Sequence, residues 1–220
     1  MIFWIAPLAR ETGIAPLTRQ PENMPLAREA KTLPSECDPR PEWVFGYGSL
    51  MWRPGFSFVE QQTATLRGYH RAFCIQSHRY RGTPKKPGLV LGLDRGGSCI
   101  GTAFRVDDEE WDNVVTYLND RELVGYAYEP TVLPILLGDR SVPAYTFVAD
   151  SDHEHYAGDQ GLEKSAQIIM GASGTMGLNR DYLVNMVHEL ESLGFQDQEH
   201  YKLLDRIKYL SGLIKQPGGI

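Results

Sequence analysis

The chain has 220 residues, 42% of them hydrophobic and 23% charged, which suits a soluble globular protein with one substantial core. Its 22 basic and 28 acidic residues give a formal charge of -6, and no basic stripe interleaves with aromatics, so a nucleic-acid partner is excluded. The three cysteines, Cys37, Cys74 and Cys99, form no Cys-x-x-Cys pair, which excludes a disulfide framework or a zinc site of usual spacing and suits a reducing cytoplasm.

In chain order, the first forty residues stand apart. Pro7, Pro16, Pro25 and Pro34 recur at a fixed interval, and Pro-Leu-x-Arg appears three times, at Pro7, Pro16 and Pro25. Proline removes a backbone donor and fixes one dihedral, so residues 1–40 are expected to be an extended or disordered arm, either dispensable or a docking segment. The opening apolar run is too short to span a membrane and lacks a basic stretch before it; neither an export signal nor a transmembrane helix is expected.

The body, residues 41–220, begins at Trp43 with β-prone runs separated by Gly and Pro. Strands are expected over 43–48, 63–77, 89–94, 98–106, 128–137 and 142–149. Between the fourth and fifth lies a helix, capped by Asp107 or Asp108, with Trp111, Val114, Val115 and Leu118 at helical spacing and an end between Arg121 and Gly125. The last third is helical: Leu162, Ala166 and Ile169 form one stripe. Tyr182, Leu183, Met186, Val187 and Leu190 form another after an Asn179 cap. Leu203, Leu204, Ile207, Leu210 and Ile214 form the last. Strands first and helices later predict an α+β protein, with about six strands closing a small mixed β-barrel flanked by helices.

Two segments carry candidate chemistry. In Gly46-Tyr47-Gly48-Ser49-Leu50 two glycines bracket an aromatic as the first strand ends, and successive N–H groups in such a turn can cradle a carboxylate or an oxyanion. A plain turn would look the same. It has neither the third glycine of a dinucleotide fingerprint nor the lysine of a P-loop. In the second segment, Glu122 sits at a helix exit, where the negative end of the dipole disfavours a carboxylate. It is either a surface acid, a partner for Arg121, or a functional group. Asp152-His153-Glu154-His155 lacks the helical spacing of a zinc motif and reads as a solvated loop, and 171–177 reads as an inter-helix loop.

Taken together, these segments resemble the ChaC-type γ-glutamylcyclotransferases. Trp43-Val44-Phe45-Gly46-Tyr47-Gly48-Ser49-Leu50-Met51-Trp52 looks like that family's opening strand with its Tyr-Gly-Ser-Leu signature. Arg67-Gly68-Tyr69, Arg71-Ala72-Phe73, the loop Arg81-Gly82-Thr83-Pro84-Lys85-Lys86-Pro87-Gly88, and Arg121-Glu122 with Gly125-Tyr126 follow in family order. The resemblance spans roughly residues 43–210. It implies a γ-glutamylcyclotransferase-like barrel and a γ-glutamyl-binding loop of Val44, Phe45, Gly46, Tyr47, Gly48, Ser49 and Leu50, with Glu122 as the catalytic glutamate.

The implied reaction cleaves glutathione to 5-oxoproline and Cys-Gly by attack of the substrate's own α-amine on its γ-carbonyl. The nucleophile belongs to the substrate, so no metal or cofactor is expected. An α-amine is mostly ammonium near pH 7, so a base must take its proton, and the departing nitrogen must gain one; a desolvated glutamate can do both. Tyr126 either offers its hydroxyl to the pocket or belongs to the core. Arg71 and Arg81 either neutralise a substrate carboxylate or form structural ion pairs. Alternatives are a cyclotransferase for γ-glutamyl-amino acids or γ-glutamylamines, and a catalytically silent γ-glutamyl-binding protein. Nothing in the sequence assigns an oligomeric state.

Overall fold

The computed structural model describes residues 40–123 and 127–213. Residues 1–39 of the proline-spaced arm, together with Gly125, Tyr126 and Ile214, lie outside the described residues.

Five strands close a barrel in the order β1-β3-β2-β4-β5: β1 (Trp43–Gly46), β2 (Glu60–Ser77), β3 (Gly88–Arg105), β4 (Tyr128–Leu137) and β5 (Arg140–Ala149). All neighbours are antiparallel except β1 and β5, which pair in parallel through Trp43–Ala144 and Val44–Tyr145 and close the ring. The predicted strands over 89–94 and 98–106 are one strand, which reduces the expected six to five. Gly96 and Gly97, both at positive φ, are taken up as an irregularity where the register shifts between Arg67 and Tyr69, so pairing with β2 continues past them. Prolines mark where a ladder stops. β4 bonds β2 only through Leu136 and Ile135, and Pro130 and Pro134 lie on the stretch whose one strand partner is β5.

Helix α1 (Trp111–Glu122) follows a 3-10 turn over Asp108–Glu110 whose cap is Asp107, accepting from the Glu109 amide at 3.1 Å. Its buried face, Trp111, Val114 and Leu118, packs with Val44, Tyr145 and Phe147. The neighbouring residue Phe45 joins the main core with α2 (Gly161–Gly171), α3 (Asn179–Ser192) and α4 (Gln198–Leu210). The alternation of β1 thus places α1 on one side and the other helices on the opposite side.

Three expectations need correction here. Asn179 is the first residue of α3, not its cap. Its fully buried side chain pairs with β3, accepting from the Leu89 amide and donating to the Leu89 carbonyl, both at 2.7 Å. Segment 171–177 contains a hairpin of β6 (Ser173–Gly174) and β7 (Gly177–Leu178), held against the Arg79 and Tyr80 carbonyls by the Thr175 and Met176 amides. Leu162 is exposed, leaving Ala166 and Ile169 as the buried part of its stripe.

Candidate active site

After Gly46 the chain leaves β1 and makes a short 3-10 turn over Ser49–Met51. That turn uses the Met51 amide, which donates to the Gly48 carbonyl at 2.9 Å, but leaves the amides of Gly48, Ser49 and Leu50 without an acceptor among the described residues. Unpaired backbone donors in succession are an anion cradle. The loop sits close against β3: a Cβ on Gly48 would stand 3.3 Å from the Leu91 side chain, so glycine permits this approach.

Arg71 holds the loop from below. Its buried guanidinium donates from Nε to the Tyr47 carbonyl at 2.5 Å and from Nη2 to the Ile100 carbonyl at 2.7 Å. Nη1 meets Asp197 at 3.4 Å, and the other oxygen of Asp197 lies 2.9 Å from Nδ1 of His200, in the first turn of α4. Arg71 therefore supports the loop rather than facing a substrate, because its donors are spent on these groups.

Glu122, the final residue of α1, is brought to a small pocket bounded by Tyr47, Gly48, Ser49 and Leu50. Leu91, Phe147, Tyr128 and Tyr182 complete its walls. Burial pushes the Glu122 carboxyl above its ordinary range, while the charge and hydrogen bond of Arg121 oppose that rise. Tyr47 is pushed well up, by burial first and by the nearby Glu122 charge second, which keeps its phenol neutral. The Tyr128 hydroxyl donates to the Leu91 carbonyl at 2.5 Å, tying β4 to β3 across the pocket. The free volume within this open pocket is about 40 Å3, room for water. A wider depression of about 350 Å3, between Lys85, Lys86, Gln160 and Gln167, has no carboxylate in its lining and hence no proton carrier of that kind.

Of the residues singled out from sequence, Tyr47, Gly48, Ser49, Leu50 and Glu122 come together at this pocket. Val44, Phe45 and Gly46 do not line it: they are the strand that aims the loop, with Val44 and Phe45 fully buried and the Phe45 carbonyl accepting from Thr146 at 3.0 Å. Arg81 stands beside the pocket wall, its guanidinium 5.2 Å from the Tyr182 ring centroid. The His-rich segment is not simply solvated, because the His155 ring stacks on His78 at 4.1 Å. Tyr128 and Tyr182 also line the pocket, and the sequence does not single them out. Their apolar periodicity fits a strand and a helix stripe, and only the meeting of β4 and α3 over Glu122 distinguishes them from core.

A model of the family described as ChaC-like protein matches residues 42–210, which include the loop, Glu122 and the helices behind them. The chain belongs to the ChaC family. Among its relatives, this ChaC-family chain is 41% identical over 174 residues to the glutathione-specific gamma-glutamylcyclotransferase of Escherichia coli, covering 79% of this chain and 75% of that protein. It is 34% identical over 172 residues to glutathione-specific gamma-glutamylcyclotransferase 1 of Homo sapiens, covering 76% of this chain and 78% of that protein. The ChaC barrel also matches the crystal structure of the glutathione-specific γ-glutamyl cyclotransferase from yeast, with a TM-score of 0.68 over 78% of this chain and 99% of that one. Identity there is 22%, so that likeness speaks for the fold.

Proposed function

We propose that the chain is an enzyme, a γ-glutamylcyclotransferase that converts glutathione to 5-oxoproline and Cys-Gly. The observation that carries this reading is the placement of a largely buried carboxylate, Glu122, against a loop with three successive amides that have no acceptor among the described residues. The names of the relatives support glutathione as the γ-glutamyl substrate.

The reaction closes a five-membered ring within the substrate. Glu122 takes a proton from the α-ammonium group, and the freed amine attacks the γ-carbonyl carbon, whose C=O electrons move onto oxygen. The amides of Gly48, Ser49 and Leu50 receive either that oxyanion or the substrate α-carboxylate; such a donor at an oxyanion is worth about 3 kcal/mol. Glu122 then returns its proton to the departing nitrogen, the oxyanion electrons re-form the C=O, the C–N bond breaks and Cys-Gly leaves; the ring nitrogen, which still carries two hydrogens, gives up the second through Glu122 to the released amine, which departs as its ammonium form. Proton count and charge balance without an external reagent. Burial raises the Glu122 carboxyl above its ordinary value, which makes it a stronger base for the first half of this transfer than an exposed glutamate.

Arg81 is the proposed contact for the carboxylate at the far end of the substrate. Its Nη1 is anchored on the Met176 carbonyl at 2.6 Å and the Leu178 carbonyl at 3.4 Å, and it has no acidic partner among the described residues. Residues 41–220 are the proposed catalytic domain, with residues 1–40 an appended arm. Two buried free thiols, Cys74 and Cys99, suit a reducing cytoplasm, and no helix among the described residues is long and apolar enough to cross a membrane.

The test is to incubate the full chain with glutathione, without added metal, and to follow 5-oxoproline and Cys-Gly. Both products should appear in equal amounts. Faster turnover of γ-glutamyl-amino acids or γ-glutamylamines would replace glutathione as the substrate, and binding without product would leave a silent γ-glutamyl-binding protein.

A further inference from the structure

Glu122 ends its helix, where the remaining backbone does least to fix a side chain and the helix dipole repels a negative charge. The residue before it supplies the restraint. Nε of Arg121 lies 3.1 Å from Oε1 of Glu122. Successive residues on a helix point about 100° apart and do not ordinarily face each other, so this is no routine surface pair; both side chains turn into one cleft at the helix exit.

The rest of the guanidinium is also committed. Nη2 donates to the Ser49 hydroxyl at 2.8 Å, reaching the amide-bearing loop directly. Nη1 is shared among the Arg53 carbonyl at 2.7 Å, the Pro54 carbonyl at 3.2 Å and the Tyr117 hydroxyl at 3.0 Å. The turn presenting those carbonyls depends on Gly55, whose φ is +75° and whose Cβ, if it had one, would stand 2.0 Å from the Tyr117 hydroxyl oxygen. With its fork occupied in this way, Arg121 is poorly placed to receive a substrate carboxylate.

We propose that Arg121 is the positioning residue of this site: it pins Oε1 of Glu122 and the Ser49 loop to one rigid group, leaving Oε2 to exchange protons with the substrate. This rests on Glu122 being the proton carrier. The consequence is geometric and electrostatic together. The distance between base and anion cradle is set through a single planar side chain, and one positive charge opposes the upward push of desolvation on the Glu122 carboxyl. Among the described residues, the titratable groups facing Glu122 are Arg121 on α1, Tyr47 on the loop, Tyr128 on β4 and Tyr182 on α3, and Arg121 is the cation among them.

The experiment is kcat/KM for glutathione against pH in the full chain and in Arg121→Gln and Arg121→Lys, with folding followed by circular dichroism. In Arg121→Gln the acid limb should move up by about one pH unit, as expected for loss of an opposite charge within hydrogen-bond reach, and kcat should fall more than about tenfold. Arg121→Lys keeps the charge but loses the fork, so its limb should stay near that of the unaltered chain while kcat falls. A purely structural arginine would lower the curve without displacing it, and an unmoved limb in a folded Arg121→Gln overturns the proposal. Should that variant not fold, Arg121→Lys carries the test, and an undiminished kcat there overturns it. Failure of the underlying reading is separable: in that case Glu122→Gln would retain turnover whatever Arg121 does.

Discussion

Arg71 and Tyr47 are joined by a buried hydrogen bond of 2.5 Å, from the guanidinium Nε on β2 to the carbonyl that opens the candidate substrate loop. The same guanidinium meets Asp197 at the start of α4, so the C-terminal helix and the loop share one support. Burial, the largest influence on Asp197, pushes its carboxyl up, but the His200 hydrogen bond and the His200 and Arg71 charges together outweigh it and hold the group at about 2. The folded value lies below the ordinary 3.8, so the stabilisation is present above about pH 4 and is lost as pH falls toward 2. Asp197→Asn leaves Arg71 buried without its counter-charge and should cost about 3 kcal/mol near neutral pH, with a weaker loss of stability between pH 4 and 2 than the unaltered chain. Denaturant titrations at several pH values measure both; equal stability at neutral pH would remove the ion pair as a support.

Glu122→Gln keeps size and hydrogen-bonding capacity but cannot accept a proton. Formation of 5-oxoproline should fall by at least about a hundredfold. Its effect on stability should have the opposite sign. Because the folded carboxyl is raised above the ordinary 4.5, the native state loses stability as pH rises through that window, and above it the neutral glutamine escapes this loss. At neutral pH the variant should therefore melt no lower than the unaltered chain. Near-normal turnover would take Glu122 out of the mechanism.

Arg81→Gln tests the far end of the substrate. A partly exposed charged contact supports roughly a tenfold rise in KM for glutathione with little change in kcat. Glutathione esterified on its glycyl carboxylate should show the same penalty with the unaltered chain and no further penalty with the variant. If the two penalties simply multiply, Arg81 does not read that carboxylate.

Asn179→Ala would strand the amide and carbonyl of Leu89 in the core, since both bond to the fully buried asparagine side chain. Loss of two such partners should cost about 3 kcal/mol, against about 1 kcal/mol for removal of an ordinary exposed cap. An urea midpoint shifted by no more than the cap value would return Asn179 to a local role.

Much of this organisation was legible because it is local. The spacing of Trp111, Val114 and Leu118 marks α1 and puts Glu122 at its exit, and the β-prone run from Trp43 into the Gly46–Gly48 turn marks β1 as a strand. Where the reading failed, a distant partner had intervened. Gly96 and Gly97 look like a strand break, but pairing with β2 continues around them; Asn179 looks like a cap, but β3 takes its side chain.

By itself the sequence determined the family, through the ordered motifs it shares with it, and the succession of strands and helices, because glycine, capping and apolar period act over a few residues; the loop and the acid it offered as candidates. Only the tertiary structure decided which groups each arginine meets. Arg71, Arg81 and Arg121 carry the same charge and the same five donors, and what separates them is the set of acceptors that the tertiary fold brings within reach. Apart from Tyr117 and Glu122 beside Arg121, those acceptors lie tens of residues away in the chain, where no local periodicity can report them.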